Sequence, residues 1–288
     1  SWWKERLKSA EQYYSVYRLD HILGFFRIWA IPTRDTTAIL GHTDPYVAIS
    51  RMDFHNTGFG DDRIRWLSQP HVPTGVIEDI TWNHESATKI LEKFCERIGN
   101  EELWLFKKSV EGDKDIYESD LSSFCQGDAE NRVKDVLSRF WKDRAFVEVS
   151  QDMFVPIWTY YETTPWKSLG YDEQGRLRYL IEEAERNQNR LWETQSDEIL
   201  SALTNSVSMI PCGEDLGANL PCLPGVMDKT RFFRLGSTVG AENGIFSRSN
   251  RIFHSANFLN FPYALRPCMT LLRSASGGTK TKAESISL

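Results

Sequence analysis

An α/β fold is predicted for this chain: part of a (β/α)8 TIM barrel, with a long and mainly helical insertion between its two carboxylate-bearing strands. Three observations predict it. Residues 13–19 are aromatic and β-branched enough for a short strand, and Arg18 and Asp20 stand at its carboxyl end. Residues 206–212 form a second short apolar run, which delivers Glu214 at its end. Between the two runs lie long polar stretches with helical periodicity. The carboxyl ends of strands are where barrels of this kind place reacting groups.

Taken in order, residues 2–14 carry helix formers with mixed charges and read as an amphipathic helix ahead of the first strand. Residues 33–75 are rich in Gly, Pro, Asp and His and read as irregular, with Phe59-Gly60-Asp61-Asp62 as a turn signal. Residues 76–145 read as several helices joined by a loop near Gly127-Asp128. Residues 146–158 alternate loosely and contain Pro156, which fits an edge strand or an extended loop. Residues 177–203 are the clearest helical region, with Leu180, Ile181, Ala184, Leu191, Ile199 and Leu203 among charges that read as a solvated face. The expected organisation is therefore a barrel segment at 1–32, an insertion at 33–203, a second barrel segment at 204–228 and an aberrant tail at 229–288.

Composition sets outer limits. The 288 residues are 41% hydrophobic and 26% charged, ordinary values for a globular protein. A formal net charge of −6 gives no support for a nucleic-acid or anionic-membrane partner, both of which need clustered Lys and Arg. No apolar run approaches bilayer length, and no secretory leader precedes the first motif. Five scattered cysteines form no zinc or CxxC spacing, so reduced thiols and a cytoplasmic location are expected, with no metal and no cofactor. Ten tryptophans are compatible with stacking on sugar rings but do not diagnose it. Ser1 stands inside what reads as a helix, so the chain reads as a fragment.

A lone carboxylate at a strand end is usually a cap or an ion-pair partner. Company changes that reading here. Arg18 precedes Asp20 by two residues, so in a strand both side chains share a face. A neighbouring guanidinium holds a carboxylate ionised, as a nucleophile requires. The apolar stretch before Glu214 is a setting that suits a proton donor. Two carboxylates divided in this way and about 5 Å apart would perform retaining glycoside chemistry.

Arg18-Leu19-Asp20-His21, followed by Gly24-Phe25 and Ile28-Trp29-Ala30-Ile31-Pro32, resembles the nucleophile motif of the 4-α-glucanotransferases of glycoside hydrolase family 77, the amylomaltases and disproportionating enzymes. Gly213-Glu214-Asp215-Leu216-Gly217 resembles the same family's acid/base motif. The wide separation of the motifs, with Trp2-Trp3 and Leu191-Trp192 ahead of them, resembles the plant-type cytosolic branch. The resemblance implies Asp20 as nucleophile, Glu214 as acid and then base, and Arg18 as the group orienting Asp20. It implies His21 and Trp29 as donor-subsite residues; Asp215 is either a hydrogen-bond acceptor behind the pair or structural. Implied partners are maltose, malto-oligosaccharides and soluble α-glucans. A retaining α-glucan hydrolase and a non-catalytic glucan-binding remnant are the alternative readings.

The family's third essential carboxylate, in a later His-Asp motif, is missing. His254 is followed by Ser255. The genetic code offers a reason. Pro267-Cys268-Met269-Thr270 is encoded CCN TGY ATG ACN; read from the third bases, the Cys-Met junction gives His or Tyr and the Met-Thr junction gives Asp. The junctions from Ser276 to Lys282 then allow the Trp-Trp-acidic run that follows His-Asp in the family. The tail after Asp228 is therefore expected to be out of frame and poorly ordered, and the chain alone is expected to be inactive.

Overall fold

The structure, a computed structural model, describes residues 2–215 and 220–236, together with the backbone of four strands at 244–248, 251–255, 269–272 and 283–286. The chain divides into two compact units, residues 1–28 with 186–288, and residues 29–185.

The first unit is built on a sheet of seven strands, in the order 251–255, 244–248, 233–236, 210–215, 16–19, 269–272, 283–286. Three adjacent strands are parallel: Val16–Leu19 beside Ile210–Asp215, and Ile210–Asp215 beside Phe233–Gly236. The remaining strands are antiparallel additions on either side. The period of two sorts Val16–Leu19: Tyr17 and Leu19 are buried while Val16 and Arg18 are only half-buried. Tyr17 and Leu19 join Leu7, Ile22, Phe26, Trp192, Leu200, Met227 and Phe232 in one core. The helix Trp2–Glu11 adds Leu7, and Leu223–Lys229 adds Val226 and Met227.

Among the described residues the sheet is open, because its outermost strands, 251–255 and 283–286, have one neighbour each. A barrel requires every strand to be paired on both edges. The described residues supply a parallel core of three strands, which fits the α/β class and no more. Glu214 also lies within its strand rather than beyond its end.

In the 29–185 unit, the stretch 33–75 is less irregular than its composition implies. Arg51–Asn56 and Asp61–Ser68 are helices. Ser50 and Asp53 form a reciprocal capping box at the first, and Asp61-Asp62 is the acidic first turn of the second rather than a plain turn. Helices Thr74–Thr81, His84–Phe94 and Asp128–Lys142 follow, with the short strands Cys95–Arg97 and Leu103–Phe106 among them. Residues 146–156 form a hairpin, Phe146–Ser150 with Met153–Pro156, turning through Asp152 at φ 59°. Pro156 closes the inner strand, which Ile49–Ser50 flanks on its other side. The helix Tyr171–Thr204 extends the predicted 177–203 at both ends.

Asp113 is fully buried in this unit and takes four partners: the Thr36 N–H and hydroxyl, the Ser138 hydroxyl, and Lys142 Nζ at 2.6 Å. Beside it Asp35 accepts from the Trp141 indole at 2.8 Å, and Arg144 stacks on Trp141 at 4.4 Å. Buried charge of this kind is stable only when its hydrogen bonds are complete.

Candidate active site

The parallel register runs Val16 with Ile210 through Leu19 with Gly213. The next residues on the two strands are Asp20 and Glu214, so the register itself sets these carboxylates side by side. Parallel partners point to the same face of a sheet. Arg18 joins them: its Nε is 2.5 Å from Asp20 Oδ1 and its Nη2 is 2.6 Å from Glu214 Oε1. One rigid guanidinium fork thus holds both carboxylates. Their side chains keep roughly a fifth to a quarter of their surface open, 24% for Asp20 and 22% for Glu214, so solutes reach both.

After Leu19 the chain turns sharply. His21 adopts the left-handed conformation at φ 52°, and Ile22–Phe25 continues as a 3-10 turn. That kink aims the His21 N–H at Glu214 Oε2, at 3.2 Å. Glu214 therefore sits between a guanidinium and a backbone donor, not in the apolar setting its preceding residues imply. The long-range partner on the neighbouring strand overrides the local pattern.

Gly213 explains how closely the turn can approach. A Cβ there would stand 2.9 Å from Met227 Cε and 3.1 Å from Ile22 Cγ1. The Met227 tip can move, but Ile22 is fully buried behind His21. Gly213→Ala is expected to cost about 1–3 kcal/mol, read from the urea midpoint, with a displaced 3-10 turn visible in the amide shifts of residues 20–26.

Below the carboxylates, Cys212 is in register with Arg18 and buried. Burial pushes its thiol up to about 12, with Arg18 pulling weakly the other way. Cys95 in the other unit is likewise raised by burial to about 12. Both should resist a thiol reagent at neutral pH in the native protein and react once it is unfolded. The four described cysteines are free thiols.

Asp215 is paired. Arg234, on the next parallel strand, donates through Nε at 3.0 Å and through Nη2 to Asp215 Oδ2. Nothing in the sequence marks Arg234, which follows Asp228 in the stretch whose pattern reads as aberrant. Trp29 belongs to the 29–185 unit, where its indole N–H donates to the Ala38 carbonyl at 3.2 Å. The other predicted site residues share the first unit. Leu216 and Gly217 of the second motif, Cys268, and Ser276 to Lys282 lie outside the described residues. Among the described residues no cluster of His, Cys, Asp and Glu is arranged to hold a metal, and no helix is long and apolar enough to cross a membrane.

Two carboxylates side by side on adjacent parallel strands, bridged by one arginine, are an arrangement suited to acyl or glycosyl transfer. Comparison with known proteins narrows the choice. The chain is 28% identical over 263 residues to the 4-alpha-glucanotransferase DPE2 of Oryza sativa subsp. japonica, a match covering 86% of this chain and 27% of that protein. It is 75% identical over 28 residues to a 4-alpha-glucanotransferase of Chlamydia pneumoniae, covering 10% of this chain and 5% of that protein. It is 42% identical over 41 residues to the chloroplastic/amyloplastic 4-alpha-glucanotransferase of Solanum tuberosum, covering 14% and 7%. The chain thus spans about a quarter of the length of its rice relative. No solved structure matches it. The model of glycoside hydrolase family 77, described as 4-alpha-glucanotransferase, matches residues 1–239, and the chain belongs to that family.

Proposed function

We propose that this chain carries the nucleophile and the acid/base of a retaining 4-α-glucanotransferase that moves glucosyl or α-1,4-glucan units from maltose and malto-oligosaccharides to soluble glucans in the cytoplasm. One observation carries the reading: Arg18 touches both Asp20 and Glu214, which follow directly from a parallel register.

In the first half-reaction Asp20 attacks the anomeric carbon of the donor, the glycosidic C–O bond breaks, and Glu214 gives its proton to the departing oxygen. In the second, Glu214 takes the proton of an acceptor hydroxyl, whose oxygen attacks the same carbon and releases Asp20. Protons and electrons balance over the cycle, and configuration is retained. Arg18 orients Asp20 between the two steps, while His21 fixes Glu214 through its N–H at the donor side of the pair. In this reading the three parallel strands are one arc of a (β/α)8 barrel, and residues 33–203 are an insertion into it.

The third carboxylate of the family lies, in this reading, in the shifted frame after Asp228. The 288-residue chain alone is then inactive, and joining residues 1–239, which the family model matches in frame, to the shifted-frame continuation and the upstream coding sequence restores activity. The test is chain exchange between maltose and glycogen by both proteins. Exchange without net release of reducing ends, by the restored protein only, is expected. Net release would make it a hydrolase, and no reaction by either would remove the catalytic reading. The coding DNA is an independent check: a stop codon in the shifted frame, or no His-Asp ahead of Trp-Trp, contradicts the frame proposal.

A further inference from the structure

Outside the carboxylate pair, one concavity combines exposed rings with a missing side chain. It is lined by Thr57, Tyr171, Asp172, Gly175, Arg176 and Tyr179, with a volume of about 380 Å³. All six belong to the 29–185 unit. Tyr171, Gly175 and Tyr179 recur every four residues along one helix and therefore share a face.

Each feature of this face costs something or offers something. Tyr171 is 88% exposed and Tyr179 is 58% exposed. Glycine inside a helix is unfavourable relative to alanine, yet nothing lies within 4 Å of where a Gly175 Cβ would stand. Packing therefore does not demand the glycine. Its effect is to leave a notch between two aromatic rings whose attachment points are about 12 Å apart along the helix axis. Arg176 is laid over the Phe59 ring at 5.3 Å, which fixes its stem and presents the guanidinium at the notch wall. Asp172 supplies a carboxylate acceptor, and the Thr57 hydroxyl, which donates to the Asp53 carbonyl, keeps its oxygen as a second acceptor.

The lining charge sums to zero, one carboxylate against one guanidinium, so the surface favours a neutral ligand over a phosphate or a cationic peptide. A neutral ligand with flat apolar faces for the rings and many hydroxyls for Asp172, Arg176 and Thr57 is a sugar chain. The ring spacing fits a short oligosaccharide rather than one monosaccharide. We infer that the Tyr171–Gly175–Tyr179 face is an α-glucan-binding notch, separate from the carboxylate pair, that tethers polymeric acceptor to the enzyme. The identity of the sugar rests on the glucanotransferase reading above.

The experiment is native electrophoresis of the full 288-residue chain in gels with and without glycogen, repeated with maltoheptaose as competitor. Tyr171→Ala/Tyr179→Ala removes the rings, Gly175→Leu fills the notch, and Trp158→Ala, an exposed ring of the same unit outside the notch, serves as the control. Circular dichroism confirms that helical content is kept, and Gly175→Leu favours the helix, so a folding failure would show separately. Retardation by glycogen is expected to weaken about tenfold or more in both notch variants, the scale of about 1.4 kcal/mol of lost stacking, and to be unchanged in Trp158→Ala. Full retardation in both notch variants would overturn the notch and leave the glucan reading standing. An unretarded parent chain would also overturn it, while the exchange assay judges the catalytic reading on its own.

Discussion

Asp20→Asn is expected to lower glucan exchange by the restored, full-length protein at least about 10³-fold, the scale on which removing one member of a nucleophile–base set acts. The amide has the size of the carboxylate but cannot form the glycosyl ester, so the loss falls in kcat. Arg18 keeps its contact with Glu214, at 2.6 Å. The urea midpoint should therefore move little, which separates lost chemistry from lost structure. Initial rates on maltose with a labelled acceptor, beside an unfolding curve, measure both.

Asp113→Ala is expected to be the most damaging single change to the 29–185 unit. It takes away the acceptor shared by the buried Ser138 hydroxyl, the Thr36 N–H and hydroxyl and Lys142, which keeps Ser138 Oγ at 3.0 Å, a loss of about 3 kcal/mol. The same site gives a pH signature. Burial alone would raise the Asp113 carboxyl, but Lys142, Thr36 and Ser138 outweigh it and hold it at about 2, against an ordinary 3.8. A depressed carboxylate contributes stability that is present above its unfolded value and lost as pH falls through its folded value. Unfolding free energy should thus decline between about pH 4 and pH 2. Urea titrations across that window should show a shallower decline in the Asp113→Ala variant.

What was legible in the sequence was what a local period can encode. The alternation of Tyr17, Arg18 and Leu19 places Arg18 opposite the core, and Asp20 follows on the same side. Residues 177–203 announce their helix by spacing alone. Capping chemistry was also present but easily read as disorder: Ser50 with Asp53, and Asp61-Asp62 after Gly60, start helices in a stretch whose Gly, Pro and His content reads as loop.

What could not be read depends on partners distant in the chain. The apolar run before Glu214 gives no hint of Arg18 and the His21 N–H, which arrive from another strand. Arg234 reaches Asp215 through a register that only the sheet fixes. Trp29 is close to Asp20 in sequence, yet it packs in the other unit, against the Gly41 that leaves room for its indole. The tyrosine notch is invisible to composition, because its central feature is a side chain that is not there.

The central claim is that Asp20 bears the sugar and Glu214 moves the proton. In the restored protein, Glu214→Gln should still be glycosylated by a maltosyl fluoride, whose leaving group needs no proton, but should not pass the sugar on. Mass spectrometry of its peptides after brief incubation is the direct measurement. A glycosyl mass increment is expected on the peptide containing Asp20, absent when Asp20→Asn is added. An increment on another carboxylate, or none while Asp20→Asn still exchanges glucans, would contradict it.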